Sequence, residues 1–316
     1  MKKISVFDTS ISSYNLGNDI IMEAVVKYLN ELFPFSFIVR VPSMEITSNT
    51  LKFLRKSDYI FFGGTNSLSS RMEFYKQWGV NLFNSFFFKN VILMGLGWWQ
   101  YQKGVSLYTK YLLNRLLSSE YLLSVRDSYT ENKLRSINFK NVINTSCPTL
   151  WGLTNDHISS IKKERSEKVI FTLTDYHQNP TRDKKLISIL TKEYNKVYFW
   201  IQGWGDYEYV KQLTDISKIE ILNPNLDSVN NILELQDIDY IGTRLHGGIR
   251  ALQKGKRTII IGIDNRSLEM QKDYNLPVID QNNLANLNSL INSSMEIKLN
   301  IPFDNIKKWK AQFKDI

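Results

Sequence analysis

Apolar runs and segments of helical period alternate along most of the chain. Runs such as Lys3–Phe7 and Tyr59–Gly64 are almost continuously apolar, which is typical of parallel strands buried on both faces. Between the runs, apolar residues recur three and four positions apart, and Asp19–Phe33 is the longest such stretch. Because parallel strands need crossover connections, this alternation predicts βαβ units and mostly parallel sheets.

The pattern divides into two series of strands, separated by the polar, charged stretch 154–168. The first series is predicted at Lys3–Phe7, Phe35–Val41, Tyr59–Gly64, Asn90–Leu96, Tyr121–Asp127 and Asn141–Ser146. The second is predicted at Val169–Asp175, Lys196–Gly203, Ile219–Asn223, Asp239–Arg244, Thr258–Asp264 and Pro277–Asp280. Two such series in tandem indicate two doubly wound domains.

We therefore expect an α/β protein with two Rossmann-like domains that face a cleft, which is a GT-B-like arrangement. The predicted boundaries are an N-terminal domain over 1–153, a linker over 154–168, a C-terminal domain over 169–295, and a C-terminal segment, 296–316, whose helix packs back on the first domain. In such sheets ligands bind beyond the carboxyl ends of the strands. The cleft is thus the expected active site.

Composition and length fit this picture. A chain of 316 residues is long enough for two domains. Its single cysteine, Cys147, cannot form an internal disulfide. No segment reaches the roughly 18 uninterrupted apolar residues of a membrane span, and Asp8 interrupts the first apolar run, so the N-terminus indicates a strand rather than a signal peptide. We expect a cytoplasmic protein.

The net charge of +9 has two interpretations. It indicates an anionic partner, or it reflects lysines scattered over a solvated surface. The absence of a basic helix or of an RNA motif argues against nucleic acid. The C-terminal "NIKKWKAQFKDI" (305–316) is basic and aromatic enough to contact an anionic membrane, although a packed final helix is the stronger expectation.

In the first domain, three polar clusters follow predicted strands. One, which we call the first-loop motif, is a turn that precedes a helix. It either binds an anion or simply caps that helix. Another pairs two glycines with small polar residues, which suits the close approach of a ligand. The third is Arg126 beside Asp127, as an anion clamp or an internal ion pair. The first-loop motif consists of Asn15, Gly17, Asn18 and Asp19. The glycine cluster consists of Gly63, Gly64, Thr65 and Asn66.

In the second domain, the corner "TRLHGG" carries the strongest signal. Arg244 ends a strand and His246 starts a helix, so a cation and a titratable imidazole meet a helix N-terminus. His177, after the first strand of this domain, is a candidate for the cleft or an ordinary surface histidine. Gln202 and Asp206 follow the next strand, in the same layer. Because the three histidines are dispersed in sequence, we expect no metal site.

Taken in order, these motifs resemble the polysaccharide pyruvyl transferase family. The matching segments are "NLGND" from Asn15, "FFGGTNSL" from Phe61, "SVRDSYT" from Ser124, "TSCPTLW" from Thr145 and "GTRLHGGIRALQKGKRTIIIGID" from Gly242. The resemblance runs from about Asn15 to Asp280. This chain departs from the family pattern at Asn18, at Cys147 and, by our alignment, at Arg266, where a lysine is common.

The resemblance implies a transferase of capsule, exopolysaccharide or cell-wall glycan synthesis. Its donor would be phosphoenolpyruvate, its acceptor a glycan or lipid-linked oligosaccharide, and its product a pyruvate ketal. The C-terminal domain would bind the donor, the N-terminal domain the acceptor, and no cofactor would be required. His246 would be the catalytic acid. The implied donor contacts are Arg244, Leu245 and His246, with Arg126 as a further anion contact.

The residues themselves extend this assignment. A donor that carries a phosphate and a carboxylate needs several cations and N–H donors, which Arg126, Arg244, Arg266 and the start of the helix at Gly247 supply. The base that activates the sugar hydroxyl stays open between Asp19, Asp206 and His177. Two other functions also stay open: a GT-B glycosyltransferase that uses a nucleotide sugar, and a non-enzymatic scaffold of a glycan assembly complex.

Overall fold

The computed structural model describes residues 1–313, and Lys314–Ile316, at the end of the basic C-terminal stretch, lie outside them. Each of the twelve predicted strands overlaps an observed one. The strands are β1 Lys2–Asp8, β2 Ser36–Pro42, β3 Tyr59–Gly63, β4 Val91–Met94, β5 Leu123–Val125, β6 Val142–Asn144, β7 Lys168–Thr172, β8 Lys196–Trp200, β9 Glu220–Leu222, β10 Ile238–Gly242, β11 Thr258–Gly262 and β12 Val278–Asp280.

Helices connect these strands, as parallel pairing requires. They are α1 Leu16–Leu32, α2 Ser48–Lys56, α3 Leu107–Leu116, α4 Ser128–Arg135, α5 Asn155–Ser159, α6 Pro180–Glu193, α7 Asp206–Lys211, α8 Leu226–Leu233, α9 Leu245–Gln253, α10 Asn265–Tyr274, α11 Leu287–Asn292 and α12 Phe303–Ala311. Short 3₁₀ turns occur at Asn84–Phe86, Pro148–Leu150, Asp175–His177, Ile216–Lys218 and Gln281–Asn286. No helix among residues 1–313 is long and apolar enough to cross a membrane.

The chain forms two compact units. The first contains Met1–Ser13, Asn18–Trp151 and the described residues from Ile301 onward, and the second contains Tyr14–Gly17 and Gly152–Asn300. The stretch 154–168, which we predicted as a linker, therefore belongs to the second unit, where its first residues form α5. The first-loop motif is divided, because Asn15 and Gly17 belong to the second unit and Asn18 and Asp19 to the first.

The first unit is built on a parallel sheet in the order β2-β1-β3-β4, which β5 and β6 continue through a bridge between Leu96 and Val125. Its core is rich in aromatic residues, with Phe7 packed edge-on against Trp78. Helix α12 completes the unit, since Trp309 is fully buried and its indole nitrogen donates to Leu122 O at 2.8 Å. The aromatic residues of the C-terminal stretch thus lie in a core and not on the surface.

The second unit has one six-stranded parallel sheet in the order β12-β11-β10-β7-β8-β9. Strands β10 and β7 lie side by side, although their crossovers run outward in opposite directions. In a doubly wound sheet this reversal opens a crevice at the carboxyl ends of the two strands, and ligands bind there. The loops that follow β7, β8 and β10 are therefore the first place to look for a site.

Candidate active site

Three loops of the second unit converge at the carboxyl ends of β7, β8 and β10. The hydroxyl groups of Thr174 and Thr243 are 2.8 Å apart and join the first loop to the third. Asp206, in the second loop, accepts a hydrogen bond from the backbone N of Asp175 at 3.2 Å. The reversal point of the sheet is thus closed by side chains that the sequence separates by up to 69 residues.

Arg244 occupies the centre of this convergence and is almost completely buried. Its Nε donates to Leu173 O at 2.8 Å, and its Nη2 donates to Asp175 Oδ1 at 3.0 Å and also to Asp206. The ring of Tyr176 lies 5.2 Å from the guanidinium carbon. Among residues 1–313 the Nη1 atom has no hydrogen-bond partner, so this nitrogen is available to an anion.

Asp206 holds the guanidinium in place. Besides Arg244, its carboxylate accepts from the backbone N of Gly203 at 2.8 Å and of Gln202 at 3.2 Å. Burial raises the pKa of Asp206, although the charge of Arg244 opposes this effect. Because donors surround both carboxylate oxygens, the structure favours a positioning role for Asp206 and not the base role that we predicted.

His246 is the second residue of α9 and is buried beside the first-loop motif. Asn15 forms an antiparallel bridge with Gly203, and Leu16 N donates to Gln202 O at 3.0 Å. A Cβ added to Gly17 would lie 2.8 Å from Gln202 Nε2 and 3.6 Å from His246 Cβ. Gly17 is therefore needed for close packing, because the turn that we predicted as an anion site or a helix cap packs against Gln202 and the β-carbon of His246.

Gln202 carries a polar atom that protein groups leave unmatched. Its Oε1 is buried and has no hydrogen-bond partner among the described residues. A Cβ on Gly247 would lie 2.7 Å from this oxygen. Because residue 247 is glycine, the Gln202 amide can pack closely against the start of α9. An unsatisfied buried acceptor costs about 1–3 kcal/mol, which a bound hydroxyl or another donor would recover. Leu245, next to His246, is buried and apolar.

Exposed aromatic residues border the corner, and sequence reasoning missed them. Tyr14 and Trp204 are 75% and 78% exposed, and their ring centroids are 5.1 Å apart. Both residues adjoin the bridge between Asn15 and Gly203. The sequence contained one signal for this ring pair, which is Trp204 in the motif "WGD" of "WIQGWGDYEY". The pairing of Trp204 with Tyr14 is a contact across 190 residues, and no local pattern contains it.

Arg266 joins this group and His177 does not. The Nη2 of Arg266 donates to Tyr176 Oη at 2.7 Å and to Asp264, so Tyr176 contacts both Arg244 and Arg266. Two of the three predicted donor cations therefore contact the same tyrosine. The ring of His177 packs beside Tyr176 at 5.4 Å but is exposed, as expected for a surface histidine.

The predicted site residues of the first unit are differently placed. Arg126 is fully buried, with Nε 3.4 Å from Asp127 Oδ2 and Nη2 donating to Asn66. These contacts favour the internal ion pair, one of the two roles that we predicted for Arg126. A Cβ on Gly63 would meet Val25 of α1 at 2.8 Å, and one on Gly64 would overlap Ile21. Helix α1 thus fills the space that we predicted for a ligand, and Thr65 follows as a backbone acceptor for Gly97 N at 2.7 Å.

Asn18 and Asp19 lie at the carboxyl end of β1. Asn18 Nδ2 donates to Thr9 O at 3.0 Å and to Ser13 Oγ at 2.9 Å. The pKa of Asp19 is raised, first by partial burial and further by the negative charge of Asp8, against the effect of a backbone hydrogen bond. Asp19 therefore keeps the properties of a candidate base. Residues 1–313 contain no group of three or more metal-ligating side chains.

Comparison with known proteins agrees with this architecture. A sequence model of the family described as "Polysaccharide pyruvyl transferase" matches residues 15–265, which confirms the family that the motifs resemble. No curated protein matches the chain. Among solved structures, the UDP-GlcNAc 2-epimerase of Methanocaldococcus jannaschii is similar, with a TM-score of 0.54, 10% identity, and coverage of 99% of this chain and 98% of that chain.

Two further structures are similar over nearly full length. MnaA of S. aureus in complex with UDP has a TM-score of 0.54 at 12% identity, with 100% of this chain and 98% of that chain covered. Anabaena Alr3699/HepE in complex with UDP and glucose has a TM-score of 0.53 at 13% identity, with the same coverage. At such low identity the likeness concerns the fold, and it confirms the GT-B-like class with two Rossmann-like units.

Proposed function

Because this chain belongs to the polysaccharide pyruvyl transferase family, we propose that it is a transferase whose donor is phosphoenolpyruvate. In this proposal the enolpyruvyl group passes to two hydroxyls of one sugar in a cell-surface polysaccharide or its lipid-linked precursor. The product is a pyruvate ketal, and inorganic phosphate is released.

The donor would bind at the corner formed by Arg244 and the start of α9. Arg244 offers Nη1, Arg266 contributes a second positive charge through their shared contact with Tyr176, and the helix N-terminus favours an anion by about 0.3–1 kcal/mol. Asp175 and Asp206 carry two formal negative charges against the single positive charge of Arg244, so the donor would compete with them for its guanidinium. Their main effect is to fix its guanidinium, which would otherwise lose conformational freedom on binding.

His246 would supply the proton that starts the reaction. Protonation of the methylene carbon of phosphoenolpyruvate turns it into a methyl group and leaves an oxocarbenium-like centre at C2. One sugar hydroxyl adds at C2, the C–O bond to phosphate breaks, and the second hydroxyl closes the ketal. Of the two hydroxyl protons, one balances the proton now held by the methyl group and the other leaves with phosphate. A positioned acid typically contributes about 10²–10⁴-fold.

The acceptor sugar would stack on the ring pair Tyr14–Trp204. Large exposed rings offer an apolar surface with little conformational entropy to lose, and this pair adjoins the bridge between Asn15 and Gly203, close to Gly17, which packs near the β-carbon of His246. The unmatched Oε1 of Gln202 is an acceptor for a sugar hydroxyl. For the base that removes the hydroxyl proton, Asp19 stays the candidate, and burial raises its pKa above the ordinary aspartate value.

The observation that carries the proposal is the corner itself, where a fixed arginine, a histidine and a helix N-terminus meet at the reversal point of the sheet. Thermal unfolding with ligands tests it. Phosphoenolpyruvate at 100 times its Kd should stabilise the protein by about 2.7 kcal/mol, with UDP-sugars as the matched comparison. Stabilisation by UDP-sugars alone would instead indicate a nucleotide-sugar glycosyltransferase.

A further inference from the structure

A group of large apolar side chains is exposed around α3, far in sequence from the corner at Arg244. Phe83 and Phe86, in and beside the 3₁₀ turn that precedes β4, are 74% and 62% exposed. On α3, Leu107 is 82% and Tyr111 is 56% exposed. Single exposed apolar residues are ordinary, but a contiguous patch of them marks a surface that contacts a partner or a membrane.

These side chains form one surface. Leu107 and Tyr111 are four residues apart and so lie on the same side of α3, and Arg115 follows one turn later. The guanidinium carbon of Arg115 lies 4.0 Å from the ring centroid of Phe86, and its Nε donates to Ser85 O at 3.1 Å. The ring of Phe87 packs against that of Phe83, with centroids 5.5 Å apart. We call this surface the α3 face, defined by Phe83, Phe86, Phe87, Leu107 and Tyr111.

The chain segment that carries the α3 face has charges of a single sign. From Phe74 to Ser119 the sequence contains no aspartate or glutamate, and it contains five cations, which are Lys76, Lys89, Lys103, Lys110 and Arg115. The preceding acid, Glu73, is occupied, because its Oε2 accepts from Ser106 Oγ at 3.0 Å and Thr109 Oγ1 at 3.3 Å. No other stretch of the sequence of this length lacks both aspartate and glutamate.

We propose that the α3 face docks on an anionic lipid bilayer. The exposed rings and Leu107 enter the headgroup region, where aromatic and aliphatic side chains are favoured over water. Lys89, Lys110 and Arg115 contact lipid phosphates, each contributing about 1 kcal/mol near an anionic surface. Charge decides between this occupant and a second copy of the chain, because a self-association through the α3 face would bring its cations against each other.

The C-terminal stretch, for which we expected a packed helix more strongly than membrane contact, buries the aromatic residues that a membrane would need. Trp309 and Phe313 of the C-terminal stretch are buried in the core of the first unit, where the Phe313 ring stacks on Tyr121 with centroids 5.6 Å apart. The docking proposal therefore rests on a different segment. It is also independent of the donor, because neither α3 nor the 3₁₀ turn contributes a residue to the corner at Arg244.

Co-sedimentation of the full chain with vesicles tests the proposal. We expect binding to vesicles of phosphatidylcholine and phosphatidylglycerol, weakened by salt, and little binding to phosphatidylcholine alone. The double variant Phe83→Ser/Phe86→Ser should reduce the partition coefficient at least tenfold. Lys89→Gln and Lys110→Gln should each reduce it about fivefold, the equivalent of about 1 kcal/mol.

The chain offers a matched control. Phe35 and Phe37, at the start of β2, are 82% and 66% exposed and lie outside the α3 face. The variant Phe35→Ser/Phe37→Ser makes the same chemical change and should bind vesicles as the wild type does. Absence of binding to anionic vesicles, or equal losses in both double variants, would overturn the proposal. So would a dimer that Phe83→Ser/Phe86→Ser converts to a monomer without lipid, since the α3 face would then be an interface between copies.

Discussion

Arg126 and Arg244 start from the same local pattern and end in different chemistry. Each follows a parallel strand, each is buried, and each pairs with aspartate. Arg126 contacts Asn66 and Asp127, and Asp127 in turn caps α4 by accepting from Thr130 N at 2.7 Å. Arg244 lies beneath the exposed Tyr176 and directly precedes the helix that carries His246.

The difference shows that a strand-end arginine is not by itself an anion site. Asn66 and Asp127 hold Arg126 inside the first unit, which stabilises the protein. Asp175 and Asp206 hold Arg244 at the crevice of the second unit, where it is next to a titratable group and an exposed ring. In the proposed function these neighbours decide whether the charge stabilises the fold or binds a ligand, and the following predictions separate the two cases.

The largest expected effect comes from His246. His246→Gln should lower kcat by about 10²–10⁴-fold because it removes the proton donor, while the Kd for phosphoenolpyruvate changes little. Single-turnover kinetics and calorimetry measure the two effects. His157→Gln is the matched control, since the glutamine amide keeps a donor for Leu252 O, which His157 Nε2 contacts at 2.7 Å. An active His246→Gln enzyme would exclude the acid role.

Removal of the carboxylate beneath Arg244 should be the most damaging change for stability. Asp206→Ala leaves a buried guanidinium without its nearest counter-charge, and breaking such a pair costs about 3–5 kcal/mol. Asp206→Asn keeps the size and an acceptor oxygen and should cost less. Urea unfolding measures both variants. A loss below about 1 kcal/mol for the alanine variant would show that Asp206 does not hold Arg244.

The same substitution, made at each of the two arginines, tests most directly whether their roles differ. Arg244→Met should weaken phosphoenolpyruvate binding about 10–100-fold, because a charged hydrogen bond contributes about 1.5–3 kcal/mol. Arg126→Met should lower stability and leave the Kd unchanged. If isothermal titration showed that Arg126→Met weakens donor binding as much as Arg244→Met does, the internal ion pair would not be the whole role of Arg126.

Trp204 tests the acceptor platform with a smaller effect. Trp204→Ala should raise the acceptor KM about 5–10-fold, since ring stacking contributes on the order of 1 kcal/mol, and should leave the donor Kd unchanged. Phe53→Ala, a change at an exposed ring on α2, is the control. An unchanged acceptor KM would remove the ring pair from the site without affecting the donor proposal.

The pKa of Asp19 predicts the smallest change. Because burial raises this pKa, the folded protein binds the Asp19 proton more tightly than the unfolded chain does. The stability contributed by Asp19 therefore falls as pH rises from the ordinary aspartate pKa of about 3.9 through the raised value. Asp19→Asn should remove this part of the pH dependence and be slightly more stable at neutral pH, as measured by urea unfolding. If Asp19 is also the base, kcat falls in the same variant.

The sequence predicted the strands better than the helices, for a physical reason. Buried parallel strands are continuous apolar runs, so all twelve were found. The predicted helix Asp19–Phe33 began about one turn late, since α1 starts at Leu16. The first turn of a helix is often polar because side chains such as Ser106 cap its free N–H groups, and the apolar period starts only after it.

The candidate site was predictable only where it is local. The spacing of Arg244 and His246 is contained in one strand-to-helix corner, so the sequence indicates it. The contacts of Arg244 with Asp175 and Asp206 join three loops, and the Tyr14–Trp204 pair depends on tertiary structure. We predicted that the paired glycines let a ligand approach, whereas Gly63 lets helix α1 pack closely. A glycine has the same sequence signature in both cases.

In the proposed function, the corner at Arg244 and His246 protonates phosphoenolpyruvate and transfers its enolpyruvyl group. The most direct test is the reaction in D₂O with phosphoenolpyruvate and a panel of lipid-linked or synthetic glycosides, followed by mass spectrometry and a phosphate assay. The account predicts one phosphate released for each ketal formed, a deuterium in the ketal methyl group, and loss of both in His246→Gln. Glycosides that gain a sugar from a UDP-sugar, with no phosphate released from phosphoenolpyruvate, would contradict it.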